Sequence, residues 1–139
     1  MGYAKDLVDR SLKAWNAHDF GEWSAAFTDD AQLAGPGGLS GGGRDTQQTF
    51  YSIWQDGFPD NEVSNVRISE DGDAAVLEAV FEGTHTGVLR APSGDIPPTG
   101  KRVSIPFVVT YTCADGRFTG FRLYFDQMDL VTQLGIGGT

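Results

Sequence analysis

At 139 residues, the chain fits a single domain over residues 1–139, long enough to bury about two-thirds of its unfolded surface. Hydrophobic residues make up 40% and aromatics 12%, which argues against a disordered chain. Nineteen acidic against ten basic residues give a net charge of −9, which repels phosphate backbones and anionic lipid. Neither a nucleic acid nor a membrane partner is therefore expected. Cys113 stands alone, so no intrachain disulfide forms, and a reducing, cytoplasmic setting is the expectation. The opening MGYAKDLVDR has no apolar signal core, and no apolar run approaches the ~20 residues that span a bilayer.

Residues 4–17 have helical period, with Ala4, Leu7, Val8, Ser11 and Trp15 on one stripe. Asp19, three residues before Glu22, opens a shorter helix carrying Phe20, Trp23 and Phe27 on one face. Thr28-Asp29-Asp30 stops it, and Ala31 to Ala34 reads as a short strand. Gly35 to Gly43, GPGGLSGGG, reads as a flexible surface loop, with a mobile pocket lid as the rival reading. A third helix runs from Arg44 to Gly57, with Phe50, Ile53, Trp54 and Gly57 at i, i+3, i+4 and i+7, and ends at Phe58-Pro59-Asp60.

From there the period drops to two. Glu62–Ser69 and Asp73–Thr86 predict two antiparallel strands, the second with Ala75, Leu77, Ala79, Phe81, Gly83 and His85 on one face. Gly87 to Lys101, with three prolines, predicts a loop or irregular hairpin. Arg102 to Cys113 is a long strand with Val103, Ile105, Phe107, Val109 and Tyr111 on one face, and Pro106 suggests an edge or bulge. The last strand places Phe118, Gly120, Arg122, Tyr124 and Asp126 on one side and Thr119, Phe121, Leu123 and Phe125 on the other. Its polar row either faces solvent or lines a cavity. Helices followed by a meander of strands predict an α+β fold, a curved antiparallel sheet with three helices closing one face.

His85 and Asp126 are the candidates for proton transfer, both near strand ends. The competing readings are a backbone-bonded histidine at a strand edge and a carboxylate capping the terminal turn Gln127–Thr132, a role for which Asp129 competes. Arg122 and Tyr124 could orient a ligand oxygen or pair with surface carboxylates. Trp15, Phe27, Trp54 and Phe58 are expected to converge with Phe81, Phe107 and Tyr124 on one apolar concavity. No metal-spaced cluster of His, Cys and carboxylates, no CxxC, no GxSxG and no GxGxxG is present. A metal-free, cofactor-free reaction or plain binding is what remains.

The run WNAHDFGEW…FTDDA, the stop Phe58-Pro59-Asp60, Gly83-Thr84-His85-Thr86-Gly87, Pro97-Pro98-Thr99-Gly100-Lys101, and Tyr124-Phe125-Asp126 followed by Gln133-Leu134-Gly135 resemble the SnoaL-like polyketide (ester) cyclases, in order along nearly the whole chain. The resemblance implies a nuclear transport factor 2-like cone around a hydrophobic pocket. It also implies cofactor-free aldol closure on a hydrophobic carbonyl-bearing small molecule. By motif matching, Asp126 would be the base, with His85 hydrogen-bonded nearby; on the cyclase reading His85 would stabilise developing oxyanion charge and Tyr124 would orient the substrate. A homodimer or higher homo-oligomer, paired through the exposed sheet face, is the implied assembly. Two alternatives stand beside it: an epoxide hydrolase of the limonene-epoxide type, in which Arg122 would join Asp126, and a non-catalytic binder of an apolar molecule.

Overall fold

The computed structural model describes residues 3–136. It contains four helices, α1 (Tyr3–Asn16), α2 (Phe20–Ala25), α3 (Arg44–Gly57) and α4 (Gln127–Leu134). The strands are β1 (Phe27–Gly35), β2 (Leu39–Gly42), β3 (Glu62–Asp71), β4 (Ala74–Thr84), β5 (Leu89–Ala91), β6 (Gly94–Ile96), β7 (Arg102–Ala114) and β8 (Arg117–Phe125). Six of them form one curved sheet in the order β2-β1-β8-β7-β4-β3, while β5 and β6 pair as a separate small hairpin. The expected α+β architecture is present. It carries a fourth helix where a terminal turn was expected, and the β1·β8 pair is parallel.

The alternating strands bury the residues their period predicts. Ala75, Leu77, Ala79, Phe81 and Gly83 of β4 face inward with Val103, Ile105, Val109 and Tyr111 of β7. Helix α1 lays Ala4, Leu7, Val8, Ser11 and Trp15 on this face, all buried. A contiguous aromatic cluster joins the layers: Trp23 stacks on Phe50 (5.9 Å between centroids, 11° between planes), and Phe50 meets Phe121 edge-on at 5.0 Å. Each such ring contributes about 1.5–3 kcal/mol by leaving water.

Two expectations about the first half are corrected. Strand β1 begins at Phe27, not Ala31, because Asp29 and Asp30 sit where the β1·β8 ladder skips between Phe27 and Gln32. In that irregularity their poor strand propensity costs little, and Asp29 pairs with Arg44 at 2.7 Å. The glycine run is likewise no floppy loop, since Leu39–Gly42 forms edge strand β2 against β1. Its glycines serve close packing: a Cβ on Gly41 would lie 2.7 Å from Thr46 Oγ1, and one on Gly42 would collide with the Gln32 amide.

Pro106 lies in β7, which is interior to the sheet, yet the reading of a local edge holds. The β7·β8 ladder starts only at Phe107↔Phe125, so on that side β7 is unpaired before Phe107. There the Gln133 amide of α4 replaces the missing strand, accepting from Ser104 N–H (2.8 Å) and donating to Ser104 C=O (2.9 Å). Hydrogen-bonding direction alternates along a strand, so Pro106 points its absent N–H to the same open side.

A buried amide network latches α1 to the end of α3. Asn61 accepts from Trp15 Nε1 (2.8 Å) and donates to Gln55 Oε1 (2.8 Å), while Gln55 donates to the Trp15 carbonyl (3.2 Å). His18, at φ 57, meets the same Gln55 oxygen at 2.6 Å and closes the corner after α1. Among the described residues, no helix is long and apolar enough to cross a membrane.

Candidate functional site

Between the helices and the inner face of the sheet lies an aromatic cavity of about 70 Å³. Helix α1 contributes Ser11, Leu12 and Trp15, α2 contributes Trp23, and α3 contributes Phe50 and Trp54. The sheet supplies Leu77 and Phe81 from β4, Ile105, Phe107, Val109 and Tyr111 from β7, and Phe121, Leu123 and Phe125 from β8. Trp54, Phe107 and Phe125 are only half-buried and form a rim, whereas Tyr111 and Phe121 pair deep in the sheet. From Phe107 to Tyr111 the strand descends ~13 Å. No charged side chain is part of the lining.

Four of the expected lining residues converge here: Trp15, Trp54, Phe81 and Phe107. Phe27 and Phe58 do not. Both are fully buried and back the wall from behind, Phe27 against Trp23 (4.8 Å) and Phe58 against Phe81 (5.3 Å). Tyr124 and Arg122 stand exposed on the outer face, because Phe121, Leu123 and Phe125 take the inward phase of β8. A register shift beside Gly120 puts Phe118 in phase with that inward set, so the row from Phe118 to Asp126 does not share one face. The polar row of β8 therefore faces solvent. No Asp–Arg–Asp set of the epoxide-hydrolase kind is brought together at the cavity.

Asp126 follows rim residue Phe125 and is exposed. Its Oδ1 accepts the backbone N–H of Asp129 at 3.1 Å, the N-cap of α4, and Gly135 in the left-handed conformation ends that helix. The carboxylate therefore holds a structural bond one residue along the chain from lining residue Phe125.

His85 is placed elsewhere. Its backbone N–H donates to Lys101 C=O (2.8 Å), and its own C=O accepts from Gly100 N–H (2.8 Å), so it pins the two loops carrying GTHTG and PPTGK to each other. The ring is fully buried against Phe58, 5.3 Å between centroids. Nδ1 accepts the Thr99 backbone N–H at 3.2 Å and lies 3.0 Å from Thr99 Oγ1, which places the ring proton on Nε2. Nε2 is buried without a hydrogen-bond partner among the described residues. Asp126 falls beside Pro106 in the antiparallel register and His85 beside Lys101, so about five residues of extended chain, ~17 Å of contour, lie between the two candidates. The structure does not bring them together, and neither lines the cavity.

Burial lowers the His85 pKa below its ordinary value of 6.5, with the Ile96 backbone pulling weakly the other way. Below pH 6.5 the unfolded chain takes up a proton that folded His85 resists, so this group's contribution to stability is present above 6.5 and lost as pH falls through the folded value. Thermal melts from pH 7.5 to 5 should show the Tm gap between wild type and His85→Gln narrowing as pH falls. A constant gap would contradict a buried neutral imidazole.

Of the lining residues that sequence reasoning passed over, Ser11 and Tyr111 are the two that carry a hydroxyl. Both lay on the predicted inward faces, and each brings a hydroxyl into an apolar wall. That combination was the available signal.

Comparison with known proteins agrees with this architecture. A candidate SnoaL-like polyketide cyclase from Jannaschia sp. CCS1 superposes with TM-score 0.84 at 24% identity, covering 98% of this chain and 94% of that one. IdmH, a candidate polyketide cyclase from Streptomyces antibioticus, gives 0.76 at 23%, covering 96% and 99%. AclR, a candidate hydroxylase from Streptomyces galilaeus, gives 0.82 at 21%, covering 100% and 89%. At these identities the likeness shows the fold alone. No curated protein matches the sequence. The profile of the SnoaL-like polyketide cyclases matches residues 5–134, nearly the whole described chain, and the protein belongs to that family.

Proposed function

We propose that the protein takes up a hydrophobic small molecule in the aromatic cavity, and that its chemistry is cofactor-independent proton transfer by Asp126 at the rim. The apolar, uncharged lining carries the first half of this reading, since it favours a molecule that loses little by leaving water. Asp126, one residue beyond rim residue Phe125, supports the second half. It is the carboxylate that the family resemblance matches to a base removing a carbon-bound proton, as aldol closure of a polyketide-like carbonyl compound requires. His85 acts in this reading through the loops it pins, not on the substrate. Binding without turnover is the second reading, and it is favoured by the exposure of Asp126 and its existing bond to the α4 backbone.

The resting cavity is about half the ~150 Å³ of an engineered apolar cavity that accepts benzene, so loading requires Trp54, Phe107 and Phe125 to swing outward. The outer face of the sheet, where Tyr124 is 51% and Val76 39% exposed, is the surface on which we propose two copies pair. Native mass spectrometry of gently purified protein tests both points. A dimer carrying an apolar adduct is expected, and Tyr124→Glu should reduce it to monomer. A clean, ligand-free 14.9 kDa species that also fails to bind added hydrophobic ketones would sink the reading.

A further inference from the structure

The polar atoms in the cavity wall are few, and two are already engaged. Ser11 Oγ donates to Val8 C=O at 2.8 Å, and Trp15 Nε1 donates to Asn61 at 2.8 Å. Tyr111 differs. Its ring is locked by stacking on Phe118 (4.4 Å, 28°) and by an edge contact with Phe121 (5.5 Å), and the residue is only 4% exposed. Its hydroxyl neighbours Ser11, whose single proton is committed to Val8, so Ser11 can only accept, and a ligand oxygen would take the Tyr111 proton in competition with it. Burial raises the Tyr111 pKa far above its ordinary 10.0, so the group is a neutral O–H at any working pH. A rigid, neutral hydroxyl thus sits in a predominantly apolar wall whose other polar atoms are Ser11 Oγ and the indole nitrogens of Trp15, Trp23 and Trp54.

We propose that Tyr111 sets the cavity's specificity by hydrogen-bonding one neutral oxygen, a ketone or hydroxyl, at the buried end of a hydrophobic ligand. The inference rests on the cavity being a ligand site. A carboxylate or ammonium would find no counter-charge in the lining, and a second inward polar group would find little to bond. The occupant is therefore a compact apolar skeleton that enters oxygen first. Its remaining polar groups stay near the rim, some 13 Å along β7 from Tyr111, where Asp126 stands.

Ethylbenzene, 1-phenylethanol and acetophenone share one carbon skeleton and differ at one oxygen. Their affinities for wild type and Tyr111→Phe, read by tryptophan fluorescence, give the test. The affinity ratio of each oxygenated compound to ethylbenzene should fall roughly three- to tenfold on removing the hydroxyl, the effect of one neutral hydrogen bond. Ethylbenzene itself should bind the variant at least as well. If ethylbenzene binds and neither ratio changes, the assignment of Tyr111 is wrong while the cavity reading stands. If none of the three binds wild type, both fall. The carbonyl stretch of acetophenone bound to wild-type protein reads the same contact without a substitution, and an unshifted stretch overturns the proposal even if the variant does not fold.

Discussion

Asp126→Asn should leave the fold and the uptake of hydrophobic ligands intact while lowering proton transfer by roughly 10²–10⁴-fold, the usual cost of losing a positioned acid–base group. The substitution is nearly isosteric. Asparagine caps helices about as well as aspartate, so the bond from Asp129 N–H survives with its amide oxygen as acceptor. Losing the charge beside the α4 N-terminus costs at most about 1 kcal/mol. The lining contains no part of Asp126, so ligand affinity should move by less than a few-fold. The substrate need not be known: deuterium uptake at the activated carbon of a bound 1,3-diketone, followed by NMR, reports removal of the proton directly. Wild type should accelerate exchange and Asp126→Asn should not. Equal exchange in the two proteins would leave the cavity as a binding site and remove Asp126 from the chemistry.

Much of the architecture was legible because it rests on period. The stripe of α1, the i, i+3, i+4 set of α3 and the inward faces of β4 and β7 all follow from apolar spacing, and each buries as read. Depth is another matter. Phe27, Phe58 and Trp54 look alike to a periodicity argument, yet only Trp54 reaches the cavity; the other two are its backing. Phase is equally fragile in β8, where one irregularity beside Gly120 shifts Phe118 relative to Arg122 and Tyr124 and decides which row faces the cavity. The glycine-rich stretch misled for a related reason. Its glycines are demanded by Thr46 and Gln32, contacts that local composition does not report. The cavity floor escaped notice because Tyr111 counted as one more aromatic in an inward row.

The Asp126–His85 pairing failed geometrically in an instructive way. Both motifs are real parts of the fold, but each has a structural task here: Asp126 starts α4, and His85 joins the loops beyond β4 and before β7. Motif matching locates residues on the fold without fixing their rotamers or their distance across a bent sheet. The helix that Asp126 caps is the same one that covers the unpaired stretch of β7 through Gln133 and lends Leu130 to the cavity wall. Capping and site-building are therefore linked through α4.

Phe58→Ala should be the most damaging single truncation near the site, at about 3–5 kcal/mol. Phe58 is fully buried at the end of α3, where its ring touches three others: Trp54 (6.3 Å), Phe81 (5.3 Å) and His85 (5.3 Å). Truncation removes apolar burial and leaves a void that a sheet wall on one side and a helix end on the other are poorly placed to fill. It also strips the aromatic cover that Phe58 gives the His85 ring, whose Nε2 has no hydrogen-bond partner among the described residues. A domain of this size commonly has about 5–15 kcal/mol in total, so the loss is a large share of its stability. The expected result is a fall in Tm of roughly 10–20 °C. Because Phe58 backs the wall without lining it, the surviving folded protein should bind hydrophobic ligands less tightly only through a loosened Trp54. A Phe58→Leu variant, which refills most of the volume, should recover more than half of the lost Tm. If Phe58→Ala melts within a few degrees of wild type, the ring is not the strut that its burial indicates, and the cavity wall must draw its rigidity from the Trp15–Asn61–Gln55 latch instead.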